Sequence, residues 1–251
     1  MKILLTNDDG IDSYGLRVLA EELSRIGEVS LAAPVNNNSG AGHGMTVTEP
    51  LRAYPRRYAA ITGPAWAVAG TPVDCVKLAI DQLLPEKPDI VISGINNGPN
   101  LGTDIIYSGT VAAALEGWLH QLPALAVSVA NEHRHTDDGN YLPAARIAAD
   151  YAGRLCSGQL PRTLLNINVP GAVPEDIRGI KYAGMGWRWY TGAYEKRTDP
   201  SGHDYYWLTG QPYDTPRDGT TDVEVIAKGF VSVTPLFSDL TDRELLRQLR
   251  G

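Results

Sequence analysis

Residues 7–12 carry an unusual density of groups that could do chemistry. Two adjacent carboxylates, Asp8 and Asp9, stand between Asn7 and Gly10, and Asp12 follows closely. Like charges this close repel each other unless a positive charge lies between them. A hard divalent cation with oxygen ligands is the simplest such charge. A plain turn is the alternative, but a turn needs only one or two such residues. The segment therefore predicts a metal site.

Two other polar loops carry groups that would complete the site. The loop 35–44 provides Ser39, and the small Gly40 beside it lets a ligand approach closely. The loop 94–109 contains Asn96 and ends where a helix is predicted to begin. A helix start binds phosphate through its unpaired N–H groups and its dipole. The residues predicted to do so here are Ser108, Gly109 and Thr110.

These groups together predict one reaction. Two carboxylates, a hydroxyl and an amide oxygen form an all-oxygen ligand set, which suits Mg²⁺, Mn²⁺ or Ca²⁺ and is poor for zinc. A phosphate held at the helix start and bridged to that metal would be polarised for attack by water. The predicted chemistry is phosphomonoester hydrolysis.

The elements that must position these loops alternate along the chain. Strands are predicted at 3–5, 29–33, 89–93, 124–129, 163–169 and 231–235, with two or three further β-rich stretches between residues 46 and 69. Helices are predicted at 15–26, 72–84, 110–119, 141–155 and 242–250. This alternation predicts an α/β fold with a Rossmann-like, mostly parallel sheet and flanking helices. The three polar loops would then converge on one edge of that sheet.

The chain changes character beyond residue 170. The window 182–213 holds nine of the nineteen aromatic residues, and the polar stretch 195–204 within it reads as the tip of a long hairpin. Its aromatic rings would pack either on the parent domain or on another subunit. We therefore divide the chain into a catalytic core, 1–170, and an extension, 171–251, with an aromatic β-hairpin, a strand and a short C-terminal helix.

Composition excludes several classes of function. The 251 residues are 43% hydrophobic and 20% charged, as in ordinary globular proteins, and the net charge of −7 argues against nucleic-acid duplex binding and anionic membranes. Two cysteines without metal-site spacing make a disulfide scaffold or a zinc site improbable. The sequence shows no signal peptide or membrane anchor, so the expected location is cytoplasmic.

Rival phosphate-handling folds fit less well. Haloacid-dehalogenase-type phosphatases need Asp-x-Asp after the first strand, whereas here the carboxylates are adjacent. Receiver domains need an acceptor Asp at the end of the next core strand, which here ends in Ala33-Pro34. The first turn also lacks the GxGxxG dinucleotide pattern.

Several motifs resemble one family closely and in order. They are Asn7-Asp8-Asp9-Gly10 with Gly15-Leu16, Ser39-Gly40, Gly70-Thr71-Pro72-Val73-Asp74-Cys75-Val76, Ser93-Gly94-Ile95-Asn96-Asn97-Gly98-Pro99-Asn100-Leu101-Gly102 and Tyr107-Ser108-Gly109-Thr110-Val111-Ala112-Ala113-Ala114. These motifs resemble the SurE family of stationary-phase survival nucleotidases, which act on nucleoside 5′- and 3′-monophosphates. The likeness runs over nearly the whole chain.

The resemblance implies specific roles. It implies a phosphatase with one divalent ion, Mg²⁺ or Mn²⁺, per subunit, and the family's metal ligands fall on Asp8, Asp9, Ser39 and Asn96. The predicted catalytic residues are Asp8, Asp9 and Asn96, and the predicted phosphate contacts are Gly40, Asn96, Ser108, Gly109 and Thr110. The substrates would be nucleoside monophosphates and other small phosphomonoesters. A non-catalytic, metal-dependent nucleotide sensor is the alternative function.

The resemblance also bears on assembly and specificity. The family exchanges its extended hairpin and C-terminal segment between subunits, which favours a homodimer or homotetramer here. One departure is the run Asn36-Asn37-Asn38, where relatives often carry Arg or other polar residues. That departure leaves the substrate preference open and does not affect the metal site.

Several residues stay open or have a plainer interpretation. His43 would act as an acid near the leaving group or would bind water in its loop. Asp104 would orient water or cap a turn. His133 and His135 are too closely spaced for a helical metal pair and indicate a solvated loop. Plain structural roles are predicted for a surface pair, Asp74 and Lys77, and for Cys75 in the core.

Overall fold

The structure of the chain is a computed structural model that describes residues 1–131, 140–192 and 194–250. The strands are β1 (Lys2–Thr6), β2 (Glu28–Pro34), β3 (Ala53–Arg56), β4 (Ala65–Val68), β5 (Ile90–Asn97), β6 (Ala124–Ala130), β7 (Leu164–Pro170), β8 (Ile180–Tyr182), β9 (Arg188–Thr191), β10 (Tyr194–Thr198), β11 (Asp204–Leu208), β12 (Gln211–Asp214) and β13 (Val231–Leu236). The helices are α1 (Tyr14–Leu23), α2 (Pro72–Leu78), α3 (Gly109–Leu119), α4 (Leu142–Cys156), α5 (Asp222–Ala227) and α6 (Arg243–Arg250). His133 and His135 lie outside the described residues.

Nine of these strands form one central sheet in the order β3-β4-β2-β1-β5-β6-β7-β13-β8. Its neighbours pair in parallel except for β3 with β4 and β13 with β7. The chain leaves β1 for β2 on one side and later enters β5 on the other, so the strand order reverses between β1 and β5. Ligands bind outside the carboxyl ends of strands at such a switch point. The predicted Rossmann-like α/β fold is confirmed.

Helices cover both faces of the sheet, which explains the apolar strands. In β1, Ile3 and Leu5 pack in a layer with α1 and α4, whereas Leu4 packs in the opposite layer with α2 and α3. All three side chains are at most 1% exposed. A strand buried on both faces is apolar along its length instead of alternating.

The strand predicted at 89–93 is longer than its apolar run. After a register shift beyond Ser93, β5 pairs Asn96 with Ser128 and Asn97 with Val129 of β6. The prediction of a loop from residue 94 is therefore wrong for these residues. Backbone pairing with β6 needs no apolar side chain where the strand reaches the polar edge. Asn96 is consequently held at a strand end.

The central sheet continues beyond residue 170, because β8 and β13 are its last two strands. One helix of this part, α5, was not predicted. It starts with a capping box in which the side chains of Thr221 and Glu224 each bond to the other's backbone N–H. The spacing of Thr221 and Glu224, three residues apart, was the sequence signal from which this helix could have been predicted. None of the described helices is long and apolar enough to cross a membrane.

The predicted hairpin is present as two antiparallel ladders, β9 with β12 near its base and β10 with β11 toward its tip. Most of its rings are exposed and do not pack on the parent domain. Trp187, Tyr194, Tyr206 and Trp207 are 57–68% exposed in the single chain. Trp189 and Tyr213 contact each other edge to face across the base, with ring centroids 5.3 Å apart. Beyond its base, the hairpin is thus stabilised mainly by its own cross-strand pairs.

Candidate active site

A cleft of about 1100 Å³ lies at the carboxyl ends of β1, β2 and β5. It is lined by all four predicted metal ligands, and Gly40 and Ser108 also line it. The ligands are Asp8, Asp9, Ser39 and Asn96. The structure therefore brings together residues that are separated along the chain by up to 88 positions.

The turn after β1 is shaped by Asn7. Its amide Nδ2 donates to the Gly10 carbonyl at 2.9 Å and to the Ser13 hydroxyl at 2.7 Å. Gly10 has a φ of +103°, a backbone conformation that other residues rarely adopt. The Asn and Gly of the motif therefore fold the turn, and the two aspartates between them are left to face the cleft.

Asp8 is buried against the amino end of α3. The Thr110 hydroxyl donates to Asp8 Oδ1, and the amides of Gly109 and Thr110 also bond to this carboxylate. Burial has the largest effect and raises the pKa of Asp8 above its ordinary value, while these hydrogen bonds oppose the rise. A side chain at Gly109 would place its Cβ 2.8 Å from Asp8 Cβ. Gly109 thus lets the helix end approach Asp8.

This arrangement refines the predicted phosphate contacts. Thr110 is fully buried, and its hydroxyl is used by Asp8. Ser108 is the N-cap of α3, where its oxygen accepts from the Val111 N–H at 3.1 Å. Of the three predicted residues 108–110, Ser108 is the one that lines the cleft.

Asp9 is oriented by the second and third loops. Asn37 Nδ2 donates to Asp9 Oδ1 at 3.2 Å, and the Asn97 N–H donates to Asp9 Oδ2 at 3.3 Å. The Oδ1 atom of Asn37 in turn accepts from the Ser39 N–H at 2.8 Å. One amide side chain therefore connects two candidate metal ligands from different loops. From the sequence, Asn37 stood out only as part of a departure from relatives, and its position two residues before Ser39 was the available signal.

Asn96 presents an oxygen to the cleft. Its Nδ2 donates to the Gly98 carbonyl at 2.7 Å, so the amide group is turned with Oδ1 available as a ligand. The chain beyond it is held by buried polar groups. Asn100 donates its N–H to Asn168 Oδ1 and its Nδ2 to Ser128 Oγ, each at 2.8 Å. Buried networks of this kind fix a loop in one conformation.

The charge of the cleft limits what it can bind. Among the described residues that line it, four are aspartates and none is Lys, Arg or His. The aspartates are Asp8, Asp9, Asp12 and Asp104. Carboxylate, hydroxyl and amide oxygens are the donors that Mg²⁺ and Mn²⁺ prefer. Within the described part of the chain, no three His, Cys, Asp or Glu side chains form a metal-binding group on their own, so an ion here would also need the Ser39 hydroxyl and the Asn96 amide oxygen. The donor set therefore fits a hard divalent ion and does not fit zinc.

Asp104 is bonded to the hairpin and does not cap a turn with its side chain. Tyr190 donates its hydroxyl to Asp104 Oδ2 at 2.7 Å, and Arg188 Nη1 lies 3.3 Å from the same oxygen. Arg188 also bonds Asp214 through Nε at 2.6 Å and Nη2 at 2.9 Å. These bonds raise the pKa of Arg188 despite its partial burial. Arg188, Tyr190 and Asp214 were not predicted, since nothing in their spacing links them to residue 104.

Asp222 makes a second connection between the site loop and the base of the hairpin. Its carboxylate accepts from the N–H of Gly102 at 2.9 Å and from that of Gly186 at 2.8 Å. Burial raises the pKa of Asp222, and these backbone bonds oppose the rise. The sequence carried no signal for this role.

Two residues left open or assigned to the surface have definite contacts. His43 lies outside the cleft, with Nε2 3.0 Å from Oε2 of the buried Glu116 on α3.

Asp74 and Lys77 do not pair. Asp74 is 4% exposed and accepts from the N–H groups of Thr46 and Thr71. The expected surface pair is wrong because the capping box of α2 turns Asp74 inward.

Comparison with known proteins gives a consistent result. The sequence model of the Survival protein SurE family matches residues 3–192. The chain is 43% identical over its full length to a protein named 5′-nucleotidase SurE from Syntrophomonas wolfei subsp. wolfei, covering 94% of that protein. It is 46% identical over 96% of its length to a protein of the same name from Synechococcus sp. (strain JA-3-3Ab), covering 93% of it.

A solved structure agrees with the sequence comparisons. The structure of the Sure protein from Aquifex aeolicus superposes with a TM-score of 0.83 at 37% identity, covering 100% of this chain and 98% of that one. The cleft residues lie within the stretch matched by the family model, apart from the residues of the hairpin beyond 192. The chain belongs to the SurE family.

Proposed function

We propose that this protein is a divalent-metal-dependent nucleotidase that hydrolyses nucleoside 5′- and 3′-monophosphates to nucleoside and inorganic phosphate. The observation that carries the proposal is the cleft with four aspartates and, among its described lining residues, no cationic side chain. A phosphate monoester is itself anionic and would be repelled from such a cleft. A bound divalent cation reverses the local charge and makes phosphate binding favourable.

The metal would be held by Asp8, Asp9, Ser39 and Asn96, with one Mg²⁺ or Mn²⁺ per subunit. When bound, such an ion polarises a phosphoryl oxygen and lowers the pKa of water. Asp8 and Asp9 supply the negative charge, and Asn96 presents its amide oxygen because Nδ2 is used by Gly98. Thr110 and the amino end of α3 hold Asp8 in place.

The phosphate of the substrate would lie beside the metal at the amino end of α3. Gly40 and Ser108 line the cleft there, and Asn96 faces it from β5. Gly109 contributes by its lack of a side chain, and Thr110 contributes by holding Asp8 through its hydroxyl and its amide. The 5′ activity is supported by the names of the relatives. The 3′ activity rests on the family resemblance and on the cleft volume of about 1100 Å³, which is ample for a nucleoside.

Phosphate release from chelated protein tests the proposal. The substrates are a 5′-monophosphate, the matching 3′-monophosphate and ribose 5-phosphate, each with Mn²⁺, with Mg²⁺ and without metal. We expect release from both nucleotides only with metal. Tight metal-dependent nucleotide binding without release would overturn the enzyme proposal and favour the nucleotide sensor.

We also propose that the protein is a homodimer or homotetramer assembled by exchange of the hairpin and α6. Exposed aromatic rings in one contiguous region are typical of interfaces. Replacing residues 193–209 by a short glycine linker should shift the sedimentation mass toward that of one variant chain, which is slightly below the 27.1 kDa of the full chain. A wild-type mass of one chain at micromolar concentration would refute this proposal.

We propose that the protein acts in the cytoplasm. Cys75 and Cys156 are unpaired, and Cys156 is exposed. An unpaired, exposed thiol is typical of a reducing compartment.

A further inference from the structure

The base of the hairpin forms one wall of the cleft. Tyr190 and Tyr194, together with residues 208–210, line the same cavity as Asp8 and Asp9. The cavity volume of about 1100 Å³ far exceeds the space that a phosphate ion needs and is ample for a small organic ligand. The cleft therefore has a carboxylate end and an aromatic wall, which correspond to the two chemically different halves of a nucleotide.

Tyr190 is the ring of this wall that other side chains hold most firmly. Its hydroxyl donates to Asp104 Oδ2 at 2.7 Å, and Asp104 is held by Arg188 at 3.3 Å. Arg188 is only 11% exposed and is bidentate to Asp214 on the neighbouring strand. The Thr103 hydroxyl also donates to the Arg188 carbonyl. A ring that is fixed before binding loses little conformational entropy when a ligand stacks on it.

The other rings at the cleft are less suitable. Tyr107 and Tyr194 are each 68% exposed, and no hydrogen bond to another described residue fixes their side chains. Tyr141 is 3% exposed and contacts Tyr14 edge to face, with centroids 5.7 Å apart. The guanidinium of Arg17 covers the face of Tyr14 at 4.8 Å. Tyr190 is 41% exposed, so its ring is partly accessible to a ligand although its hydroxyl is bonded.

We propose that Tyr190 stacks on the nucleobase of the substrate and that Asp104 and Arg188 are positioning residues for this ring. The proposal rests on the nucleotidase function proposed above. Stacking tolerates every base, because each has a π-face, whereas hydrogen-bond readout does not. We therefore expect the enzyme to prefer nucleotides over phosphate esters that lack a base, and to discriminate little among the bases.

The test compares kcat/KM for a nucleoside 5′-monophosphate with kcat/KM for ribose 5-phosphate. Tyr190→Leu keeps an apolar side chain but removes the π-face, and the ratio should fall about tenfold to a hundredfold, as for other base-stacking rings. Tyr190→Phe keeps the ring and should retain most of the ratio. Tyr205→Leu is the matched control, because Tyr205 lies on the same hairpin outside the cleft and is also 41% exposed.

A second variant tests the positioning role of Asp104. It also serves as the test of the proposal if the Tyr190→Leu protein does not fold. Asp104→Ala removes the acceptor of the Tyr190 hydroxyl and also a partner of Arg188, so it loosens the ring more than Tyr190→Phe, which loses only the hydroxyl bond. It should raise KM for the nucleotide severalfold more than it raises KM for ribose 5-phosphate.

The outcomes separate the two proposals. An equal loss for both substrates in Tyr190→Leu, or in Asp104→Ala, would overturn base stacking and leave the nucleotidase function standing. A wild-type enzyme with the same kcat/KM for both substrates would also overturn it. Absence of metal-dependent phosphate release from either substrate would contradict the nucleotidase function itself.

Discussion

The cleft edge of the sheet and the hairpin both carry polar and aromatic side chains at the surface, but they are fixed in different ways. In the cleft, Asp8 is held by α3, Asp9 by Asn37 and Asn97, and Asn96 by Gly98. Beyond its base, the hairpin is held by its own ladder of β10 and β11. Its rings are largely exposed. The candidate site is therefore positioned by contacts within one chain, whereas the proposed role of the hairpin tip is to pack on a second subunit.

The largest expected effect is at the carboxylate pair. Asp9→Asn removes the charge of a proposed metal ligand and keeps its shape. We expect kcat to fall roughly a thousandfold or more, since loss of an outer-shell partner alone costs about 10- to 100-fold in metal sites. Asp12→Asn is the matched control, because Asp12 also lines the cleft but is not a proposed ligand. Its kcat should change only a fewfold. Undiminished turnover of Asp9→Asn with Mn²⁺ would contradict the assigned site.

The second prediction compares the core with the hairpin directly. Ile92→Ala on β5 creates a cavity at a fully buried position and should lower the free energy of unfolding by about 2–5 kcal/mol. Trp207→Ala on β11 removes a larger side chain that is 58% exposed. In a monomeric form of the chain its effect should stay within about 0.5 kcal/mol. Urea titration measures both. A large loss for Trp207→Ala in the monomer would show that the hairpin packs on its own domain.

A pair of glycine substitutions sharpens the account of the cleft. Gly109→Ala would place a Cβ 2.8 Å from Asp8 Cβ and 2.9 Å from Asp8 Oδ2. Because a Cβ at this distance forces α3 or Asp8 to shift, we expect a loss of about 1–3 kcal/mol in stability and weaker Mn²⁺ binding. Gly153→Ala within α4 meets no atom within 4 Å and should instead stabilise by about 0.5–1 kcal/mol. Unchanged Mn²⁺ affinity in Gly109→Ala would contradict the close packing of α3 on Asp8.

The smallest effect concerns Glu116, which connects His43 and the Ser39 loop to α3. Burial acts to raise the pKa of Glu116, but the His43 hydrogen bond and the nearby His43, His120 and Lys77 charges hold it below 4.5. A lowered carboxyl pKa contributes stability that is present above the unfolded value and is lost as pH falls through the folded value.

Glu116→Gln should therefore cost about 1 kcal/mol near neutral pH, and the difference from wild type should shrink as pH falls below the ordinary carboxyl range. Thermal unfolding of both proteins across that range measures the difference. A gap between wild type and variant that widens toward low pH would contradict the assigned sign.

Much of the fold follows from short-range patterns. Continuous apolar runs such as that of β1 indicate strands buried on both faces, and their alternation with helices leads to the parallel sheet. The four candidate ligands were predicted because they follow three strands whose carboxyl ends must meet. The length of β5 was not predicted, since Asn96 and Asn97 belong to the strand through backbone pairing alone.

The rest depends on contacts between distant parts of the chain. The partnership of Asp104 with Tyr190 and Arg188 spans more than 80 residues, and Asp222 reaches Gly102 across 120. No local pattern encodes such pairs. The exposure of the hairpin rings likewise could not be predicted. A high content of Trp and Tyr predicts that the rings pack on something, but it does not identify the surface on which they pack.

The most direct test of the central claim measures turnover and bound metal in the same sample. Chelated protein is titrated with Mn²⁺, and phosphate release from a nucleoside 5′-monophosphate is recorded against Mn²⁺ bound per chain. The account predicts no release without metal and a rise that saturates at one ion per chain. Release that is independent of bound Mn²⁺, or that requires two ions per chain, would contradict it.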